Sequence, residues 1–150
     1  MSTGIGYDSH RFADGRALIL GGVEIPYEKG LAGHSDADVV THAVIDALLG
    51  AAGLGDIGEL FPDTDGAWEG ADSIELLRTV TGMVRGAIEN IDLTVICEQP
   101  KLAPFKSEIA LSISRVTSAR VNVKATTNEG MGWIGRGEGI ACMAVASIAA

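Results

Sequence analysis

The chain has 150 residues, of which 47% are apolar, enough for one domain with a packed core and short connections. It lacks any apolar run of membrane-spanning length, so no transmembrane segment is expected. The net charge of -9 argues against a general nucleic-acid binder, because a phosphate backbone would be repelled.

Residues 3–12 (TGIGYDSHRF) read as a short strand, too rich in glycine to be helical. Residues 17–26 (ALILGGVEIP) are two apolar runs around Gly21-Gly22, which predicts a hairpin. Residues 35–50 form the clearest helix. Ser35 and Asp38 suggest a capping start, Val40, Val44, Ala47 and Leu48 supply an apolar stripe, and Gly50 suits the end. Residues 50–70, rich in Gly and Asp, read as a long loop. Asp72 and Glu75 cap a second helix expected to run through about Ile88. IDLTVIC, residues 91–97, reads as a strand, and residues 105–115 as a third helix behind Pro104. RVNVKAT alternates like a half-buried strand, and a Gly-rich loop then leads into a final apolar strand, GIACMAVASIA. This mixture predicts an α/β or α+β sandwich, a mixed sheet with helices packed on one face. The last strand is apolar on both faces, so a neighbouring subunit is expected to supply cover.

The start of the chain carries neither a basic flank nor an apolar signal core, so a cytoplasmic location is expected. Cys97 and Cys142 lack a CxxC spacing and sit in apolar stretches, as small buried thiols do. Residues 1–75 hold 14 acidic and 3 basic side chains, whereas residues 76–150 hold 6 and 8. Two readings follow: solvated surface acid, or a site joining a cation-binding half to a phosphate-binding half.

All three histidines fall within the first 42 residues. Asp8 and His10 are two apart on a predicted strand, so their side chains leave the same face. His42 lies on the first helix, with Asp38 and Asp46 one turn to either side. One carboxylate and two imidazoles suit a catalytic zinc with one position open, and Asp46 is placed to orient the helix histidine. Unrelated surface histidines beside acids are the competing reading. His34-Ser35, at the entry to this helix, offers a phosphate seat at a helix N-terminus, although Ser35 also suits a simple cap. Lys101, Lys124 and Arg136 are further anion candidates. Glu129, after Thr126-Thr127, suits a hard cation bridging phosphates.

Taken together, GYDSHRF, LGGVEIPYEKGLAGHSDADVVTHAVIDALLGAAGLGDIGELFPDTD, GADSIELL, EQPKLAP and NVKATTNEGMGWIGRGEGIA resemble the cyclodiphosphate synthase family of the non-mevalonate isoprenoid pathway, over essentially the whole chain. The resemblance implies one synthase domain over residues 1–150, assembled as a homotrimer with active sites between subunits. It implies zinc, or another divalent transition metal, on Asp8, His10 and His42, and magnesium or manganese bridging the substrate phosphates through Glu129. The substrate would be 4-diphosphocytidyl-2-C-methyl-D-erythritol 2-phosphate, closed to a cyclic diphosphate with loss of CMP. His34 and Thr127 would stabilise the transition state, with Ser35 beside them. Asp56, Ile57 and Gly58, with Phe61, Pro62, Asp63, Thr64 and Asp65, would cover the methylerythritol moiety. Cys97, Lys101, Leu102 and Ala103 would receive cytosine, while Thr126, Asn128, Trp133 and Arg136 would add phosphate and loop contacts.

The chain departs from that pattern in short connections near residues 86–91 and 115–120. A trimer-axis cavity for an isoprenoid diphosphate is also implied: Arg136 fits it, but Met143 stands where a glutamate can occur. A metal-dependent phosphohydrolase, or a non-catalytic trimer binding nucleotides or isoprenoid diphosphates, are the alternatives. From the length, a fused partner domain of the kind bifunctional relatives carry is not expected.

Overall fold

In the computed structural model, which describes residues 1–150, the alternating first segment forms a long strand, β1 (Ser2–Ala13). A tight hairpin follows, β2 (Leu18–Leu20) and β3 (Val23–Ile25), turning at Gly21-Gly22 as the sequence predicts. After β4 (Gly30–Leu31), the chain enters α1 (Val39–Ala52). The helix begins later than expected. Asp38, not Ser35, is its N-cap, and its end lies past Gly50, at Gly53 in the left-handed conformation. The reason is that Ser35 is spent on a local turn, accepting the Ala37 N–H at 3.2 Å.

Residues 50–70 are more ordered than a loop. They contain α2 (Ile57–Leu60) and a 3-10 turn over Gly66–Trp68, capped by Asp56 and Asp65 respectively. α3 (Ser73–Met83) starts behind Asp72 but stops short of Ile88. Val84 is already extended, Gly86 has a positive φ, and Ile88 opens β5 (Ile88–Ile96). A 3-10 turn over Ala103–Phe105 leads into α4 (Lys106–Thr117). β6 (Arg120–Thr126), the short α5 (Gly132–Gly135) and β7 (Gly139–Ile148) complete the chain.

The main sheet has five strands in the order β4-β1-β7-β5-β6, with β5 and β6 parallel and the remaining pairs antiparallel. α1 packs against β1, β7 and α3, and ten of its residues are buried, so it is the core helix and not an amphipathic surface one. The opposite sheet face carries Ile5, Tyr7, Met143 and Val145, all exposed, with Tyr7 directly opposite Met143 and Ile5 opposite Val145. This is the uncovered apolar face anticipated for β7. No helix is long and apolar enough to cross a membrane.

Candidate metal centre

Strand alternation sends Gly4, Gly6, Asp8 and His10 to one face of β1, the face that α1 covers. The two glycines set the depth of that contact. A Cβ at Gly6 would lie 1.9 Å from the Ala43 carbonyl oxygen, and one at Gly4 would lie 2.1 Å from that of Ala47. Only a bare backbone admits the helix this closely, and the approach brings His42, next to Ala43, over Asp8.

Asp8 Oδ2 then lies 2.9 Å from His10 Nε2 and 3.1 Å from His42 Nδ1. The three ligand atoms all fall within 4.8 Å of one another. The outer ring nitrogens are engaged elsewhere: His10 Nδ1 meets the Ala32 carbonyl at 2.8 Å, and His42 Nε2 meets Ser73 Oγ at 2.8 Å and Ser35 Oγ at 3.2 Å. Because a carbonyl only accepts, neutral His10 keeps its proton on Nδ1 and turns a bare Nε2 inward. That Nε2 is buried and makes no well-directed hydrogen bond despite its closeness to Asp8. Electron pairs from an acid and two imidazoles converge with no proton assigned between them, which is the donor set a divalent metal takes.

Burial raises the Asp8 carboxyl, but the two imidazoles facing it, His10 first and then His42, outweigh burial and leave Asp8 below its ordinary value. Burial lowers His10, but the Asp8 carboxylate and the Ala32 carbonyl leave it above its ordinary value.

Beside the cluster lies a cleft of about 290 Å³ lined by His34, Ser35, His42, Ile57, Gly58, Phe61, Pro62, Asp63, Trp68 and Leu76. Seven residues nominated from sequence for substrate meet His42 here. Trp68 and Leu76, which were not nominated, complete the wall, and Phe61 stacks edge-on against Trp68 at 4.9 Å. His34 Nε2 reaches the Asp65 carbonyl at 3.3 Å, tying the entry loop to the rim. Asp56, Thr64 and Asp65 are exposed, and both acids cap turns.

Two expectations need correction. His34-Ser35 does not stand at a helix N-terminus: α1 starts at Val39, and Asp38 accepts the Thr41 N–H of its first turn. Asp46 does not orient His42; its carboxylate accepts the Ile57 N–H at 2.8 Å, and Ser73 and Ser35 hold the imidazole instead.

Most of the remaining nominated residues gather apart from the metal cluster, with Trp133, which shares a groove with His10, the exception. Cys97, Lys101, Leu102, Ala103, Thr126 and Thr127 line a second cleft of about 180 Å³. Burial pushes the Cys97 thiol up to about 11, so it is no nucleophile. Glu98 holds the adjoining loop, accepting the N–H groups of Asn128 at 2.6 Å and Gly130 at 3.2 Å, and so fixes Glu129, whose φ is 54°. Lys124 and Arg136 are engaged by Asp92 at 2.8 Å and Glu138 at 2.6 Å. Trp133 lines a different groove, with Ser9, His10 and Arg11. Ser9, Ala141, Ile96 and Thr126 form one row across the sheet, so Thr126 sits three strands, roughly 14 Å, from β1. Sequence reading also missed Arg16, whose guanidinium donates to the carbonyls of Gly33 at 2.8 Å and Ser35 at 2.6 Å and braces the loop bearing His34.

A mixed sheet carrying an Asp–His–His cluster at the edge of a half-apolar cleft defines an α+β protein with a candidate divalent-metal site. The YgbB family model matches residues 1–149, and the chain belongs to that family. It is 56% identical over 152 residues to the 2-C-methyl-D-erythritol 2,4-cyclodiphosphate synthase of Geotalea daltonii, covering 97% of this chain and 89% of that one. The fold matches the solved bifunctional IspDF of Campylobacter jejuni with a TM-score of 0.92 at 47% identity, covering 97% of this chain and 41% of that one. The chain thus spans less than half the length of that protein. A 2C-methyl-D-erythritol-2,4-cyclodiphosphate synthase solved in a CDP-bound form matches with a TM-score of 0.89 at 37% identity, over 98% of this chain and 99% of the other.

Proposed function

We propose that this protein, as a single synthase domain, converts 4-diphosphocytidyl-2-C-methyl-D-erythritol 2-phosphate to 2-C-methyl-D-erythritol 2,4-cyclodiphosphate with release of CMP, a step of non-mevalonate isoprenoid synthesis. It is a lyase. The observation that carries the reading is the convergence of Asp8, His10 and His42 beside the cleft, in a chain 56% identical to a named synthase.

The reaction needs no protein nucleophile. An oxygen of the substrate's own 2-phosphate forms a bond to the β-phosphorus, and the bond from that phosphorus to the CMP oxygen breaks. Asp8, His10 and His42 would hold a zinc ion, which when bound supplies a Lewis acid for a phosphate oxygen. Glu129, steadied by Glu98, would serve a magnesium or manganese ion on the phosphates. His34 orients a phosphate from the rim, and Thr127 does the same from the second cleft. Ile57, Gly58 and Phe61, with Asp56 at the cap of α2, close over the methylerythritol carbons and exclude water, which favours cyclisation over hydrolysis. Cytosine enters the cleft between Cys97 and Ala103.

Within one chain the two clefts are separate, and this supports a homotrimer in which one copy's Thr127 side completes its neighbour's metal side. The exposed Ile5, Tyr7, Met143 and Val145 supply the apolar face for that contact.

Phosphorus NMR of purified protein with the cytidine-diphosphate substrate, zinc and magnesium tests the reading. CMP with a cyclic diphosphate is expected. Free phosphate would indicate a hydrolase, and unchanged substrate on folded, metal-loaded protein would indicate a binding module; either defeats the proposal.

A further inference from the structure

Of the two imidazoles in the cluster, only His42 has its outer nitrogen held by side chains. Its Nε2 lies 2.8 Å from Ser73 Oγ, and Ser73 is fully buried at the first position of α3. The Ser73 hydroxyl also bonds Asp36 Oδ1. A hydroxyl has one proton to give and two electron pairs to offer, whereas a carboxylate only accepts. Ser73 therefore donates to Asp36 and presents an electron pair to His42. The ring must then carry its proton on Nε2, which leaves Nδ1 bare and facing Asp8 Oδ2 at 3.1 Å. Asp36 is itself fixed: Oδ2 accepts the Ser73 N–H at 3.0 Å, Oδ1 accepts the Asp38 N–H at 3.2 Å, and its own N–H donates to the Ala71 carbonyl at 3.1 Å.

We infer that Asp36 and Ser73 form a hydrogen-bond relay that sets the tautomer of His42 and aims its Nδ1 at the metal. Both are positioning residues, and the inference rests on the metal reading given under the proposed function. The relay joins the start of α3 to the centre, so the Asp72-Ser73 pair does more than begin a helix. Ser35 Oγ lies farther from Nε2, at 3.2 Å; it accepts the Ala37 N–H with one electron pair and has a second pair for the ring proton.

The test reads the ring directly. In metal-free wild-type protein at about pH 8, where an ordinary imidazole is neutral, two-bond proton–nitrogen correlation should place the His42 proton on Nε2. A proton on Nδ1 overturns the relay. In Ser73→Ala the ring should populate both tautomers, and zinc affinity, read by chelator competition, should fall about 10–100-fold. Ser73→Thr, which keeps the hydroxyl, should recover most of that loss. A folded Ser73→Ala protein with one His42 tautomer and wild-type zinc affinity overturns the proposal. Wild-type protein that binds no zinc overturns the metal reading itself, a result distinct from either failure of the relay.

Discussion

Replacing Gly6 by alanine should damage the metal centre without touching a ligand. The new Cβ would start 1.9 Å from the Ala43 carbonyl oxygen, and real Cβ contacts essentially never fall under 3.0 Å, so α1 and β1 must separate locally by about 1.1 Å or more. The obstacle is helix backbone, which cannot swing aside as a side-chain tip can. Ala43 adjoins His42 while Asp8 and His10 stay on the strand, so the opening falls between the metal's ligands. Metal–ligand distances tolerate only about 0.2 Å, and zinc affinity should fall at least tenfold, about 1.4 kcal/mol. Overpacking should also cost about 1–3 kcal/mol of stability, lowering Tm by roughly 2–12 °C. Gly4→Ala is the control. Its Cβ would start 2.1 Å from the Ala47 carbonyl oxygen, one turn farther from His42, so stability should fall similarly and zinc affinity much less. Thermal melts and chelator competition measure both. A Gly6→Ala protein with wild-type zinc affinity, or a Gly4→Ala protein equally impaired in zinc binding, would refute the idea that these glycines set the ligand geometry.

Two further predictions concern carboxylates. Asp38 is fully buried and accepts from the N–H groups of Gly21, Gly22 and Thr41 and from the Thr41 hydroxyl, at 2.7–3.0 Å. Burial pushes its carboxyl up, yet four donors leave a bound proton no acceptor, so the site is built for the carboxylate. Asp38→Asn should orphan at least one donor and cost about 2–3 kcal/mol, read as a urea-midpoint shift at unchanged m value; a cost under about 1 kcal/mol would contradict it. The Asp8–His10 pair predicts a pH window in metal-free protein. His10 is raised above its ordinary 6.5, so its contribution is present below that value and lost as pH rises through the raised one. Asp8 is lowered below 3.8, so its contribution is present above that value and lost as pH falls through the lowered one. The Tm advantage of wild type over Asp8→Asn should therefore be widest between those limits, whereas zinc affinity should climb as pH passes the raised His10 value. A pH-independent advantage would reject the coupling.

The elements whose pattern is local were legible before folding. RVNVKAT became β6 with no change of boundary, and Gly21-Gly22 turned the hairpin. Asp8 and His10 could be paired because strand alternation is reliable over two residues. What escaped were roles assigned by contacts distant in sequence. Asp38 read as the first-turn partner of Ser35 in a capping start, but the hairpin's N–H groups hold it in the core, where it becomes the N-cap itself. α2, four residues long, holds because Asp46 and Asp56 accept its leading N–H groups, which no periodicity reveals. Glu98 and Ser73 acquire their roles through segments 30 or more residues away in sequence, and Trp68 and Leu76 join the cleft wall only when the chain folds His34 and His42 against them. Ser73, Leu76 and Glu98 lie in the segments GADSIELL and EQPKLAP, but the local pattern there pointed only to a helix start capped by Asp72 and Glu75.

The acidic first half also takes on a different meaning once its carboxylates are followed to their partners. Asp36, Asp38, Asp46, Asp56, Asp65 and Asp72 each accept a backbone N–H, at turns and helix starts. Their negative charge is therefore matched to peptide dipoles within the fold and is not gathered to attract cations. Asp8 differs, since its carboxylate faces two imidazoles in place of a backbone N–H. These six carboxylates accordingly serve the fold, and Asp8 is the acid of this half that joins the candidate metal cluster. The same pairing occupies N–H groups that an incoming phosphate would otherwise use, including one from the first turn of α1. In the proposed reaction, a multiply anionic substrate must then be held by the cations, by His34 and by the Thr127 side of a neighbouring copy. Removal of metal should weaken substrate binding far more than removal of any single basic side chain, because Lys124 and Arg136 already answer to Asp92 and Glu138.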